Sequence, residues 1–387
     1  MPGSYYIPRV NLIEPGCFKK IGEWTKTLGG SKAFIVASLG EYGEAQGKMV
    51  ADVLTKDGIP NKIYAGAGPN PTDKMVMDGV KEYKEFSSDI LIAIGGGSAM
   101  DCAKGIGLVV SNGGNIHDFE GMHKSKKNLP HFIAINTTSG TGSEVTSVSI
   151  ITDTEKDRKM TIVDWRITPD VSVNDAELAL SMPASLTAAS GLDALSHAFE
   201  AMVASDATPI TDALSFEAAS LIFKWLPVAF NDGQNLEARK EMCHGAFLAG
   251  LAFNNSGLGF AHALSHPITA MYGTPHGVAT AVVLPAVVKY NMQTSQNKYA
   301  QLAHAMKVDI PWHSDSDNAA KVVPALLKFY KQLKIPVGLL DLGVKESDIP
   351  ALAEAASKEL VGRTNPRAGS IPIFTQLYND SLNSVRL

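Results

Sequence analysis

Apolar and polar positions change rhythm near the middle of the chain. The first half carries the β-rich runs AFIVAS at 33–38, NKIYA at 61–65, DILIAIG at 89–95, HFIAIN at 131–136 and DVSVN at 170–174, the first four separated by segments of helix length. That alternation predicts βαβ units and a parallel sheet. Two further runs, VTSVSII at 145–151 and KMTIV at 159–163, joined by TDTEKDR, predict a hairpin inserted into the scheme and therefore a mixed sheet. Beyond Pro183 alanine, leucine and methionine replace the β-branched runs, and Thr208 before Pro209 forms an N-cap and N1 pair. The expected organisation is an N-terminal α/β domain with a mostly parallel, Rossmann-like sheet over 1–184, followed by an all-α domain over 185–387.

Two loops in the first half have the chemistry of a nucleotide cradle. ILIAIGGGSAMDCAKGI places Gly95, Gly96, Gly97 and Ser98 where a buried strand turns into a helix. Glycines let backbone approach an anion closely, and the free N–H groups of a helix start favour phosphate. Ser98 and Asp101, three apart, also read as a capping box that needs no ligand, although capping leaves three consecutive glycines unexplained. NTTSGTGSE at 136–144 follows the next strand; at the carboxyl ends of a doubly wound sheet both loops would face one ligand, and alone the second would be a plain turn. Lys159 reads as a surface charge unless those loops bring a phosphate or ribose to it.

The second half carries metal-ligand spacing. Asp193 and His197 in GLDALSHAFEA are four apart and project from one helix face; His262 and His266 in GFAHALSHP repeat the spacing, and His276 follows in GTPHG. One carboxylate and several imidazoles in apolar surroundings suit Fe(II) or Zn(II) with a position left open for substrate. His117, His123, His131, His244, His304 and His313 have no such company and read as ordinary core or surface histidines.

Composition narrows the partners. Thirty-four basic against thirty-nine acidic residues in 387, net −5 without a long block of one sign, argue against nucleic acid and anionic membrane. Three cysteines without a CxxC pair form no disulfide framework and fit a reducing, cytoplasmic setting. The N-terminus shows no secretory pattern, and no uninterrupted apolar stretch reaches the ~18 residues of a membrane span, AFLAGLAF and VATAVVLPAVV being the longest candidates.

GGGSAMDCAKGI, NTTSGTGSE, GLDALSHAFEA, GFAHALSHP and TPHG together resemble the iron-dependent, or group III, alcohol dehydrogenases, from PRVNL near the start to TNPR at 364–367. The resemblance points to the branch with 1,3-propanediol dehydrogenase, lactaldehyde reductase and NAD-dependent methanol dehydrogenase. It implies that Asp193, His197, His262 and His276 bind the metal, most readily Fe(II) with Zn(II) as the alternative, and that His266 handles a proton beside it. It implies too that Gly96, Gly97 and Ser98 hold the pyrophosphate of NAD or NADP, with Asn70, Thr137, Thr138, Thr141, Thr146 and Lys159 along the rest of a dinucleotide cleft. A homo-oligomer, dimer or larger, is expected.

Two positions depart from many relatives. Ser38 in IVASLGE stands where an Asp would bond the adenosine ribose; a carboxylate there repels a 2′-phosphate and a serine does not, so both NAD and NADP stay open. Asn136 stands where several relatives have proline.

The implied reaction is reversible hydride transfer between a short primary alcohol or diol and NAD(P), the metal acting as Lewis acid. A metal-dependent lyase or cyclase resembling dehydroquinate synthase is the rival. Its sugar-phosphate substrate would need basic side chains near the metal, yet 188–204 and 245–280 contain no Lys or Arg, and Phe253 is among the apolar residues expected to line the site.

Overall fold

The computed structural model describes residues 4–156 and 158–383. The chain divides into two compact units, Tyr5–Ala179 and a second from Leu180 onward, a few residues ahead of the expected 184.

The first unit runs β1 (Val10–Leu12), α1 (Ile21–Thr27), β2 (Ala33–Ser38), α2 (Glu41–Lys56), β3 (Asn61–Ala67), α3 (Asp73–Phe86), β4 (Ile90–Gly95), α4 (Gly97–Asn112), β5 (Gly121–Met122), β6 (His131–Asn136), β7 (Val148–Asp153), β8 (Arg158–Val163) and β9 (Val171–Asn174). Six strands pair in the order β1-β9-β6-β4-β2-β3, every pair parallel. Alternate side chains feed cores on the two faces: Phe34, Val36, Leu91 and Ala93 on one, Ile35, Ala37, Ile90 and Ile92 on the other. Burial on both faces explains why these strands read as continuous apolar runs.

The hairpin does not enter the main sheet, which stays wholly parallel; the mixing of directions is confined to a second, smaller sheet. The hairpin β7–β8 is antiparallel but lies in a separate three-stranded sheet with β5. Its strands alternate buried and half-buried residues, with Ile151, Met160 and Ile162 packing into the core that also contains residues of α3 and α4. A strand with only one apolar face suits a sheet laid against helices, and both edges of the main sheet are already taken by β1 and β3.

The second unit contains α5 (Ala184–Val203), α6 (Pro209–Asn231), α7 (Leu236–Ser256), α8 (Phe260–Tyr272), α9 (His276–Ala305), α10 (Asp315–Ala319), α11 (Val322–Gln332), α12 (Ile349–Ala356) and α13 (Ile371–Asp380). α5 is buried nearly all round and packs against α6, α7 and α9. α6 opens with the Thr208 cap and Pro209 as predicted. By length and composition alone α6 could cross a bilayer, although charged residues interrupt its apolar run. It contains Asp212, Glu217 and Lys224 and buries one stripe, Thr211, Ser215, Ala218, Ile222, Leu226 and Ala229, in the helical core.

Arg239 on α7 is 1% exposed, and its guanidinium donates to Gly233 O at 3.0 Å, Met182 O at 2.9 Å and Thr187 Oγ1 at 2.7 Å, tying the start of α5 to the α6–α7 turn. Truncation to alanine leaves those acceptors facing a cavity. At ~1–3 kcal/mol per orphaned group, Arg239→Ala should cost about 4 kcal/mol, read as a lowered urea-unfolding midpoint.

Candidate metal centre and dinucleotide-binding loops

In the helical unit, α5 presents Asp193 and His197 one turn apart, α8 supplies His262, and His276 opens α9. Asp193 Oδ1 lies 3.7 Å from His262 Nε2 and 3.5 Å from His276 Nε2; Asp193 Oδ2 lies 4.0 Å from His197 Nε2. One ligand atom from each of Asp193, His262 and His276 falls within 4.8 Å of the others; His197 approaches from the far carboxylate oxygen, its ring stacked on His262 at 4.6 Å. Phe253 closes on His197 at 4.3 Å between ring centres.

The group leaves buried polar atoms unmet and has the donor set of a divalent-cation site. Asp193 Oδ1 and His262 Nε2 are buried with no hydrogen-bond partner, although they face each other beyond hydrogen-bond distance. Burial alone would raise the Asp193 pKa, yet His197, His276 and His262 hold it well below the ordinary carboxylate range. Burial alone would lower that of His262, and Glu200 with Asp193 raises it to about 9. A cation accepting electron pairs from these atoms replaces such opposed demands with bonds.

His266 stands apart from the converging atoms, its ring centre 6.4 Å from His262 and 5.4 Å from His276, and its Nδ1 is 2.8 Å from Glu359 Oε2. Glu200 and Glu359 were missed in the sequence. Glu200 had a signal: at 193, 197 and 200 it continues one helix face. Glu359 is brought to His266 from 93 residues away and left none.

Gly277 explains the glycine of TPHG. A β-carbon there would stand 2.0 Å from Ala189 O and 3.0 Å from Asp193 Cβ, so α9 starts pressed against the turn of α5 that carries the carboxylate.

A second carboxylate–imidazole group lies in the sheet unit, where His117, expected to be unremarkable, bonds Asp73 through Nε2 at 2.9 Å and faces Asp153 through Nδ1 at 3.8 Å. Lys156 adds its ammonium 3.5 Å from Asp153, so local charges already oppose one another and this reads as a strut between α3 and β7.

The dinucleotide residues gather in the sheet unit. From β2 the chain moves outward to β3 and then back across to β4, so the topological switch falls between the carboxyl ends of β2 and β4, at Ser38 and Gly95, with Asn136 in register beside Gly95. Gly95 has φ +143°, and a β-carbon on it would stand 3.0 Å from Ser38 Oγ; on Gly96 and Gly97 it would stand 3.1 Å and 3.0 Å from the γ-methyls of Thr138 and Thr141. The three glycines let the start of α4 approach both Ser38 and the 138–141 loop.

The capping-box reading of Ser98 and Asp101 is overturned. α4 is capped by Gly96 without a side-chain bond, while Asp101 accepts from Ser143 Oγ at 2.8 Å and Ile150 N at 3.1 Å. Asn136, from which little was drawn, orders its loop: Oδ1 accepts from Thr138 N and Oγ1, and Nδ2 donates to Asn174. Thr137 N donates to Gly95 O; Asn70, at φ +52°, accepts from Thr152 Oγ1, the register partner of Lys159.

Lys104, absent from the sequence reading, is fully buried beneath this loop and donates to Ser143 O, Thr146 O, Val148 O and the Ser143 and Thr146 hydroxyls at 2.7–3.1 Å. Burial lowers its pKa to about 8 and pushes Glu144 up to about 7.

Residues 8–176 match the model of iron-containing alcohol dehydrogenase, and 187–382 that of the Fe-containing alcohol dehydrogenase family, C-terminal. The chain is 41% identical to 1,3-propanediol dehydrogenase of Klebsiella pneumoniae, covering 97% of this chain and 98% of that one. It is 38% identical to the NAD-dependent methanol dehydrogenase of Bacillus methanolicus, covering 98% and 100%. A crystal structure of 1,3-propanediol oxidoreductase superposes with TM-score 0.96 at 40% identity, covering 98% and 99%. The chain belongs to the iron-containing alcohol dehydrogenase family. It is an alcohol/aldehyde oxidoreductase that depends on a metal and NAD(H).

Two outcomes are expected here. Gly277→Ala should push His276 from Asp193 and weaken divalent-metal binding at least tenfold by calorimetry. Glu144 titrates near 7 when folded against 4.5 when unfolded, so the folded state holds the extra proton in that window and stability falls as pH rises through it. Glu144→Gln removes that slope, and its unfolding midpoint should gain on wild type from pH 4.5 to 7.

Proposed function

We propose that Asp193, His197, His262 and His276 hold one divalent cation, Fe(II) first with Zn(II) as the alternative, and that the substrates are short uncharged primary alcohols or diols and their aldehydes. The observation that carries this is the buried Asp193 carboxylate with three imidazoles aimed at it, two facing atoms unpartnered. When bound, the cation supplies a Lewis acid for the substrate oxygen, and the nicotinamide supplies the hydride exchange.

The residues do the positioning. Phe253, tilted against His197 at 4.3 Å between ring centres, walls the centre with apolar surface. The segments 188–204 and 245–280 offer no cation to a phosphorylated substrate. His266 is the proton-handling residue: Nδ1 is held by Glu359, which orients the ring and leaves Nε2 to exchange the hydroxyl proton. The unit's uncapped α4 start, Gly96–Ser98, would take the pyrophosphate, with Ser38, Asn70, Thr137, Thr138, Thr141, Thr146 and Lys159 along the dinucleotide. A hydroxyl at Ser38 carries no charge against a 2′-phosphate, so our reading includes NADP beside NAD.

The setting we infer is a cytoplasmic homo-oligomer without nucleic-acid or membrane partners; Cys17, Cys102 and Cys243, buried and outside any disulfide, agree with reducing surroundings. The lyase or cyclase alternative has no support in the comparisons.

The test is anaerobic: strip the metal, then follow NADH and NADPH oxidation with a short aldehyde while restoring Fe(II) or Zn(II) separately. Turnover should return with one of them and with both cofactors, and His266→Ala should lose rate while retaining metal. Failure of both metals across short aldehydes, or equal metal loss in His266→Ala and His262→Ala, would overturn the respective assignments.

A further inference from the structure

The α8 start carries an arrangement that the metal-ligand set alone does not require. Its cap is Gly259, which offers no side chain to the free N–H groups. A carboxylate from α5 takes that place: Glu200, 2% exposed, accepts from Ala261 N through Oε1 at 2.5 Å, while Oε2 meets His262 Nδ1 at 2.5 Å. The Phe260 N–H goes to Asn365 Oδ1 at 3.3 Å, and Asn365 is locked to Asn291 by two reciprocal amide bonds of 2.9 Å. A β-carbon on Gly259 would stand 2.9 Å from both Glu200 Oε1 and Asn365 Oδ1.

The donors and acceptors in this group leave one consistent assignment. A backbone N–H can only donate, so Oε1 is committed as acceptor, and a His262 that binds a cation through Nε2 keeps that nitrogen's lone pair free, which leaves Nδ1 as the ring's only donor toward Oε2. Nδ1 of His262 must therefore carry the hydrogen. In the neutral ring that leaves the lone pair on Nε2, the atom that is buried, unpartnered and 3.7 Å from Asp193 Oδ1.

We propose that Glu200 is the positioning residue of the metal centre, fixing His262 as the Nδ1–H tautomer with Nε2 presented to the cation. The inference rests on the metal reading above. Glutamine is nearly isosteric but cannot satisfy both neighbours as an acceptor. With its oxygen on Ala261 N–H, its amide NH₂ meets Nδ1 and drives the hydrogen to Nε2, where it blocks coordination; flipped, it sets NH₂ against the Ala261 N–H.

The experiment uses the full chain loaded with Zn(II), which is diamagnetic, and ¹⁵N-labelled histidine. In wild type the His262 Nδ1 should show a protonated resonance and Nε2 a metal-bound one. In Glu200→Gln the Zn(II) dissociation constant, measured by competition with a chelator, should rise 10–100-fold while the metal-free unfolding temperature stays near wild type. Wild type that binds Zn(II) with an unprotonated His262 Nδ1 overturns the inference, and that reading needs no variant to fold. So does Glu200→Gln that folds and binds as tightly as wild type. Wild type that takes up neither Zn(II) nor Fe(II) instead removes the metal reading itself.

Discussion

A single carboxylate buried in a helical core sets the terms for the second unit. Asp193 lies on α5, a helix enclosed nearly all round by alanine, leucine and aromatic side chains, where an ionised group without compensation is prohibitively costly. Three other placements answer it: His197 one turn along, His262 on α8 and His276 at the first residue of α9. The α9 start can come that near only because residue 277 has no side chain, and α8 reaches its place with its free N–H groups met by Glu200 and Asn365. Packing and electrostatics converge on one requirement, a positive charge at a fixed point.

The sheet unit meets a comparable demand differently. Its glycines at 95–97 remove β-carbons where α4 comes against Ser38, Thr138 and Thr141, and they leave the helix start without a side-chain cap. The loop opposite would be floppy if left to its own turns. Lys104 gathers three of its carbonyls and two of its hydroxyls around one ammonium, and Asp101, spared from capping, pins Ser143 and Ile150. With Lys104 and Asp101 engaged in this way, the start of α4 is left without a side-chain cap.

What could be read from the chain follows from distance along it. The strands 33–38, 90–95 and 131–136 were legible because burial on both faces leaves continuous apolar runs, and Asp193 with His197 because a helix turns four residues into one face. The hairpin was seen, but its place was not, since alternation tells that one face is buried and says nothing of which surface buries it. The capping alternative for Ser98 and Asp101 arose because three-residue spacing is shared by caps and by helix faces, and only that alternative is removed. Glu200 shares the 193–197 face, but its spacing alone does not mark it off from other acidic residues. Glu359, Asn365 and Lys104 depend on partners 39 to 105 residues distant in the chain, in contacts made only after folding, and carry no local mark.

Lys104 has a consequence for how the protein comes into being. Its charge is written into the polypeptide, so the first unit leaves the ribosome with its electrostatics complete and can settle as soon as residues up to 179 have emerged. The second unit is synthesised later, and its buried carboxylate is answered by imidazoles on three helices, so its electrostatics are balanced only once α5, α8 and α9 have all been made and packed.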